Sequence, residues 1–263
     1  MPMIAVEDGV HLYFTVTGQG VPLVLIHPPV LSSMNFKYQV KDLSREFQVI
    51  TFDIRGHGRS NHSSKPISYP LIVDDIITIM DHLGIEKAFI CGYSTGGSIV
   101  LEFLLNYSSR AFGGIVISGM PCVRDHYIEK KISNGINIAE KGAVPLLAAS
   151  IAWTNSDTKD LFLKLFSEAK KGDAKNIEEY YLYSLFYDCT SRLQDIKLPV
   201  LLLFGSKDKP FHPYAKLLHE NLPSNELVLI EGTKHQLPTK ASKRVNALIK
   251  NFVTTQSKLS SNC

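Results

Sequence analysis

Ser94 stands in the segment Gly92-Tyr93-Ser94-Thr95-Gly96-Gly97, a G-x-S-x-G pattern that follows an apolar run and opens a helical one. Glycine and serine are common, so the pattern alone says little; in a strand–turn–helix setting it reads as a nucleophile elbow. The turn forces Ser94 into a strained backbone conformation, and Gly92 and Gly96 leave room for the tight crossing. The strain lifts the hydroxyl clear of the sheet. The Thr95 N–H then lies at a helix N-terminus, where negative charge is favoured, and is expected to be one oxyanion donor.

A serine hydroxyl needs a general base, and the base needs an acid to orient it. Gly205-Ser206-Lys207-Asp208 follows an apolar run ending at Phe204, and Gly232-Thr233-Lys234-His235 follows the next such run. Any single histidine among the nine in the chain is more often structural than catalytic. His235 is singled out by where it falls, at the end of a run beyond Asp208. Asp125, after the preceding run, is the rival acid.

The elements that must position these residues are legible as runs apolar on both faces. Val10–Val16, Pro22–Ile26, Phe47–Phe52, Lys87–Cys91, Gly114–Ser118, Val200–Phe204 and Glu226–Ile230 read as strands inside a parallel sheet covered on both sides. Helical patterns lie between them. The clearest is Tyr69–Leu83, with Leu71, Ile72, Ile76, Ile77, Met80 and Leu83 as its stripe and Gly84 as its stop. Another starts at Gly96 and a last one spans about Ala241–Val253. The alternation predicts a doubly wound, mostly parallel α/β sheet, with loops from separate strands converging on the C-terminal edge. Between about Cys122 and Asp195 the alternation stops, and only helical segments rich in aromatics remain (Trp153, Phe162, Phe166, Tyr180, Tyr181, Tyr183, Phe186, Tyr187). This stretch, 122–194, is expected to be a helical cap inserted between core segments 1–121 and 195–263. Most of the aromatics pack, two or three line a pocket, and Trp153 and Tyr183 are taken as candidates.

With these residues in view, the chain resembles the α/β-hydrolase superfamily, in its capped branch of esterases, lactonases and carbon–carbon bond hydrolases. Asp53-Ile54-Arg55-Gly56-His57-Gly58-Arg59-Ser60 is similar to that family's D-x-R-G-x-G-x-S segment, and the order Ser94, Asp208, His235 is the family's order. The resemblance implies structural roles for Asp53, Arg55 and His57. It also exposes a departure. Where the family has His-Gly-x-Pro, with x supplying an oxyanion N–H, this chain reads His27-Pro28-Pro29-Val30. Proline has no N–H, so the second donor is expected from Val30, with Ser32, Ser33 or a water as substitutes. Losing one such donor typically costs roughly 100- to 1,000-fold in turnover. The expected activity is hydrolysis of a small ester, lactone or related acyl compound through an acyl-enzyme. Perhydrolase or carbon–carbon hydrolase chemistry could use the same triad. The alternative class is a slow or non-catalytic ligand sensor. A serine at position 94, not an aspartate, argues against a haloalkane dehalogenase or epoxide hydrolase.

Composition narrows the setting. A chain of 263 residues, 44% hydrophobic and 20% charged, buries a large core, and a net charge of +3 makes no nucleic-acid footprint. Lys240, Lys243, Arg244, Lys250 and Lys258 read as a solvated helix face. Met1–Asp8 has no basic n-region or apolar h-region, and no apolar run nears the ~18 residues of a membrane span. Cys91, Cys122, Cys189 and Cys263 lack metal-ligand spacing, so reduced thiols in a cytoplasmic protein are expected, with no metal or organic cofactor. The expected partner is a small acyl substrate. A purely structural protein leaves the Ser94, Asp208 and His235 constellation without a purpose.

Overall fold

The computed structural model describes residues 2–260. Cys263 lies outside them. In chain order the elements are β1 (Met3–Ala5), β2 (His11–Thr17), β3 (Val21–Ile26), α1 (Lys37–Leu43), β4 (Phe47–Phe52), α2 (Tyr69–His82), β5 (Ala88–Tyr93), α3 (Thr95–Asn106) and β6 (Ala111–Ile117). Four helices follow: α4 (His126–Glu140), α5 (Val144–Thr154), α6 (Lys159–Ala169) and α7 (Ala174–Phe186). The chain ends with β7 (Val200–Gly205), α8 (His212–Asn221), β8 (Asn225–Ile230), the short α9 (Leu237–Lys240) and α10 (Ser242–Ser260).

The strands form one eight-stranded sheet in the order β1-β2-β4-β3-β5-β6-β7-β8. Pairings from β4 to β8 are parallel, while β1–β2 and β2–β4 are antiparallel. β5 and β7 are buried along their whole length, as strands covered on both faces must be. Their residues divide between two cores, one on each side of the sheet: Ile90, Leu202 and Phe204 face the first; Phe89, Cys91, Leu201 and Leu203 the second. β8 departs from the expected pattern because it is an edge strand, and its Leu229 stays half exposed. β1 was not anticipated, being three residues with a single buried position.

α2 is capped by Ser68, whose side chain accepts from the Leu71 N–H, and it ends before Gly84 at φ 66°. Its buried face is Ile72, Val73, Ile76, Ile79 and Met80. Leu71 and Ile77 are only partly covered, so the stripe lies slightly round the helix from the expected one. The five basic residues of the C-terminal stretch are all exposed. The region between β6 and β7 contains four α-helices and no named strand. A bridge between Cys122 and Asp188 and the Cys189 N–H bond to the Pro121 carbonyl (3.0 Å) hold its two ends together. Among the described residues no helix is long and apolar enough to cross a membrane.

Candidate active site

β5 runs straight into α3 through Ser94, which has φ 55° and ψ −123°. An L-residue holds that conformation only against a cost of roughly 1–3 kcal/mol, met by the surrounding structure. The crossing explains the glycines. A Cβ on Gly92 would collide with the Gly96 carbonyl, and one on Gly96 with the Ile26 carbonyl at the end of β3. The Ser94 N–H is fixed by the Ile117 carbonyl at 2.8 Å. Only three non-glycine residues among those described have positive φ: Val30, Ser94 and Ser118. Each follows the C-terminal end of a neighbouring parallel strand, β3, β5 or β6, so the backbone strain gathers at one sheet edge.

The loops after β7 and β8 reach the same edge. A Cβ on Gly205 would strike the Thr233 and Lys234 carbonyls, so glycine lets these loops touch. The Lys207 N–H donates to the Thr233 carbonyl (2.8 Å) and the Gly232 N–H to Ser206 Oγ (2.9 Å). Thus braced, Asp208 Oδ2 lies 2.8 Å from His235 Nδ1, and His235 Nε2 lies 3.0 Å from Ser94 Oγ. An ionised carboxylate only accepts, so Nδ1 carries the proton and Nε2 is left to accept from the Ser94 hydroxyl. Phe211 lies against the imidazole at 4.2 Å between ring centres, and Tyr93 at 5.4 Å. Ser118 Oγ donates to the His235 carbonyl at 3.2 Å. The ring therefore has one orientation.

Asp125 is elsewhere. Its Oδ1 accepts from the Tyr127 and Ile128 N–H groups at 3.0 and 3.1 Å, capping α4, and its own N–H donates to Tyr214. The rival acid is thus a helix cap.

A cavity of about 160 Å³ opens over Ser94, and Pro28, Pro29, Leu31, Tyr93, Thr95 and His235 are part of its wall. Thr95 is the first residue of α3, so its N–H has no acceptor within the helix. Val30 has φ 71°, but its side chain is fully buried against Ala148, Ile177 and their neighbours, and the residue is not part of the cavity wall. The loop is anchored through His27. The Ile54 N–H donates to His27 Nε2 (2.9 Å), His27 Nδ1 donates to the Pro28 carbonyl (2.9 Å), and the His27 carbonyl accepts from the Tyr180 hydroxyl (3.0 Å). Burial lowers the His27 imidazole to about 4. His57, buried and then further depressed by neighbouring His27, falls to about 3. Both rings are neutral fixtures of the loop, not acid–base groups.

Asp53 accepts from the Ser33 and Arg59 N–H groups at 2.8 and 2.9 Å, and Arg55 makes a two-pronged pair with Asp75 at 2.6 and 2.7 Å. They tie loops together and do not line the cavity. On the side of α4–α7 the wall is Ile128, Lys131, Ile132, Ile151, Thr154, Asn155 and Tyr181. Of the aromatics expected there, Tyr181 alone takes part. Trp153 is 70% exposed and packs edge-on against Phe162, while Tyr183 packs on Tyr69, so neither candidate lines the cavity. Lys131 and Asn155, which line the cavity, were not singled out from the sequence. Nothing in the local sequence says which way a polar residue on α4 or α5 faces.

The family described as serine aminopeptidase, S33, matches residues 23–240. The AB hydrolase superfamily protein YisY of Bacillus subtilis is 26% identical over 95% of this chain and 97% of its own length. The 3-oxoadipate enol-lactonase 2 of Acinetobacter baylyi is 24% identical over 82% of this chain and 84% of its own. An esterase from Exiguobacterium antarcticum superposes with a TM-score of 0.86 at 21% identity, covering 96% of this chain and 98% of that one. At that identity the superposition speaks for the fold.

Proposed function

The chain belongs to the serine aminopeptidase S33 family within the α/β-hydrolase superfamily, and from that premise we propose that it is a serine hydrolase of small esters, lactones or related acyl compounds. The observation that carries this reading is the unbroken hydrogen-bond chain from Ser94 through His235 to Asp208, at 3.0 and 2.8 Å, beneath a cavity.

His235 Nε2 takes the Ser94 proton as Oγ attacks the substrate carbonyl. The carbonyl oxygen becomes an oxyanion facing the Thr95 N–H, while Asp208 holds the imidazolium formed beside it. That imidazolium protonates the leaving alcohol, which departs and leaves an acyl group on Ser94. Water, deprotonated by His235, then attacks the acyl carbonyl, and collapse restores the Ser94 hydroxyl. We assign 122–194 the role of a cap that selects the acyl compound, over a core of 1–121 and 195–263. A relative named as an enol-lactonase supports including lactones in the substrate range.

We assign the second oxyanion donor to the Val30 N–H, because Pro28 and Pro29 have none. The prolines in the cavity wall also favour a second reading, a sensor that acylates once and retains product. Steady-state hydrolysis of p-nitrophenyl esters of increasing acyl length, beside a lactone series, separates the two. Sustained turnover abolished by Ser94→Ala supports the hydrolase. A single stoichiometric burst without turnover supports the sensor.

A further inference from the structure

The cavity over Ser94 has mostly apolar walls, and its polar lining groups fall into two sets. One set is already engaged within the chain. The Tyr93 hydroxyl donates to Asn155 Oδ1 (3.0 Å), Asn155 Nδ2 to the Ile151 carbonyl (3.0 Å), and Thr154 Oγ1 to that same carbonyl (3.0 Å). These groups brace the wall and have little left to offer a ligand. The other set is Lys131, Tyr181 and, next to the base, Gln236.

Lys131, itself exposed, is the one Lys or Arg among the described residues of the wall, and no Asp or Glu among them lines the cavity. It follows Ile128 and precedes Ile132, two buried residues that line the cavity from the same face of α4. Its ammonium lies 5.3 Å from the centre of the exposed Tyr127 ring, a contact that attracts a cation without neutralising it. No carboxylate among the described residues comes within 4 Å of it to form an ion pair.

Tyr181 reaches the same wall from α7. Its ring lies against Gly135, where an added Cβ would sit 3.0 Å from it, and Gly135 is one helical turn beyond Lys131. The phenol of α7 thus packs over the position one turn beyond Lys131 on α4, and both residues border the same cavity. Burial raises the Tyr181 hydroxyl above its usual range, so it stays a proton donor at neutral pH.

An unpaired ammonium at the exposed rim of a largely apolar cavity, with a phenolic donor beside it, suits a carboxylate. We propose that Lys131 and Tyr181 form an anion subsite at the rim of the cavity, and that the substrate is an acyl compound bearing a carboxylate away from its scissile carbonyl. This rests on the hydrolase reading and names the substrate class of that same site.

The test compares charged and neutral esters of matched length. Mono-p-nitrophenyl glutarate against p-nitrophenyl valerate places the charge on the acyl side. 4-Butyryloxybutanoate against pentyl butyrate, followed by acid release, places it on the alcohol side. In one of these pairs the parent enzyme is expected to favour the anion in kcat/KM. Lys131→Gln should cut that anionic-to-neutral ratio by roughly 2- to 5-fold, as expected for an exposed ion pair, chiefly through KM, and Tyr181→Phe by a smaller factor. Lys131→Glu should reverse the preference. Lys130→Gln, a neighbour equally exposed but outside the cavity wall, controls for loss of surface charge and should leave the ratio as it was. Hydrolysis of the neutral esters with no anion preference in either pair overturns this inference and leaves the hydrolase standing. An anion preference that survives Lys131→Gln, or falls equally with Lys130→Gln, overturns the assignment to Lys131. Failure to hydrolyse any ester, with no labelling of Ser94, takes both readings down.

Discussion

Tyr180→Phe removes one oxygen from a fully buried residue of α7 and leaves its ring contacts with His57 and Tyr69 in place. The lost hydroxyl is the donor to the His27 carbonyl at 3.0 Å, and His27 itself is fully buried. The carbonyl is therefore left without that donor where water does not readily replace it, at a cost of about 1–3 kcal/mol. A urea titration should show a lower midpoint with an unchanged slope, since the surface exposed on unfolding hardly changes. The catalytic effect should be larger than this structural one. His27 leads directly into Pro28, Pro29 and Leu31, which line the cavity beside Ser94 and Thr95. If the bond holds this loop where the oxyanion forms, a shift of a fraction of an ångström should lower kcat about 10-fold or more with KM little altered. Stopped assays on a p-nitrophenyl ester, at substrate concentrations spanning KM, read both constants. A variant destabilised as expected but with wild-type kcat would show that Tyr180 only packs, and the link between α7 and the oxyanion loop would fall.

Asp208→Asn should lower kcat by roughly 10³- to 10⁴-fold with the fold intact, because an amide favours the wrong imidazole tautomer; Asp125→Asn should leave kcat alone and cost about 1 kcal/mol or less in a denaturant titration, as the loss of a helix cap. Pro29→Gly should slow turnover if the paired prolines hold the Val30 N–H on target, and a faster enzyme would mean the prolines merely delete a donor. The depressed imidazole of His57, about 3 when folded against 6.5 in a model peptide, stays neutral as pH falls while the unfolded chain takes up a proton. The stability from its neutral form is thus complete above pH 6.5 and is lost below it, by roughly 1.4 kcal/mol per pH unit. Melting curves from pH 7.5 to 5 should fall more steeply for the parent than for His57→Gln, and parallel curves would contradict the assignment.

Where burial dictated residue type, the sequence was readable. β5 and β7 must be apolar on both faces, and the elbow between β5 and α3 admits only small residues at 92 and 96, so the placement of Ser94 followed from local rules. Asp208 and His235 were legible because each follows a strand at the sheet's C-terminal edge. β1 was not, since three residues with one buried position carry no periodicity. The helices α4–α7 resisted for a different reason. They present apolar residues outward as well as inward, so Trp153 at 70% exposure and buried Tyr180 look alike as letters. Asp125 likewise follows a strand as a catalytic acid would, and only its two bonds to the first turn of α4 show it to be a cap. At Val30 the sequence excluded Pro28 and Pro29 as donors and left Ser32 and Ser33 open, but the direction of a left-handed residue's N–H is a property of the folded loop.

The central claim is that Ser94 is the nucleophile, activated by His235. Its most direct test is covalent labelling with a fluorophosphonate probe, followed by digestion and mass mapping, in the parent, Ser94→Ala and His235→Ala proteins. The account predicts one adduct per chain on the peptide containing Ser94, slow labelling without His235, and none in Ser94→Ala. An adduct on another residue, or equal labelling of Ser94→Ala, would contradict it.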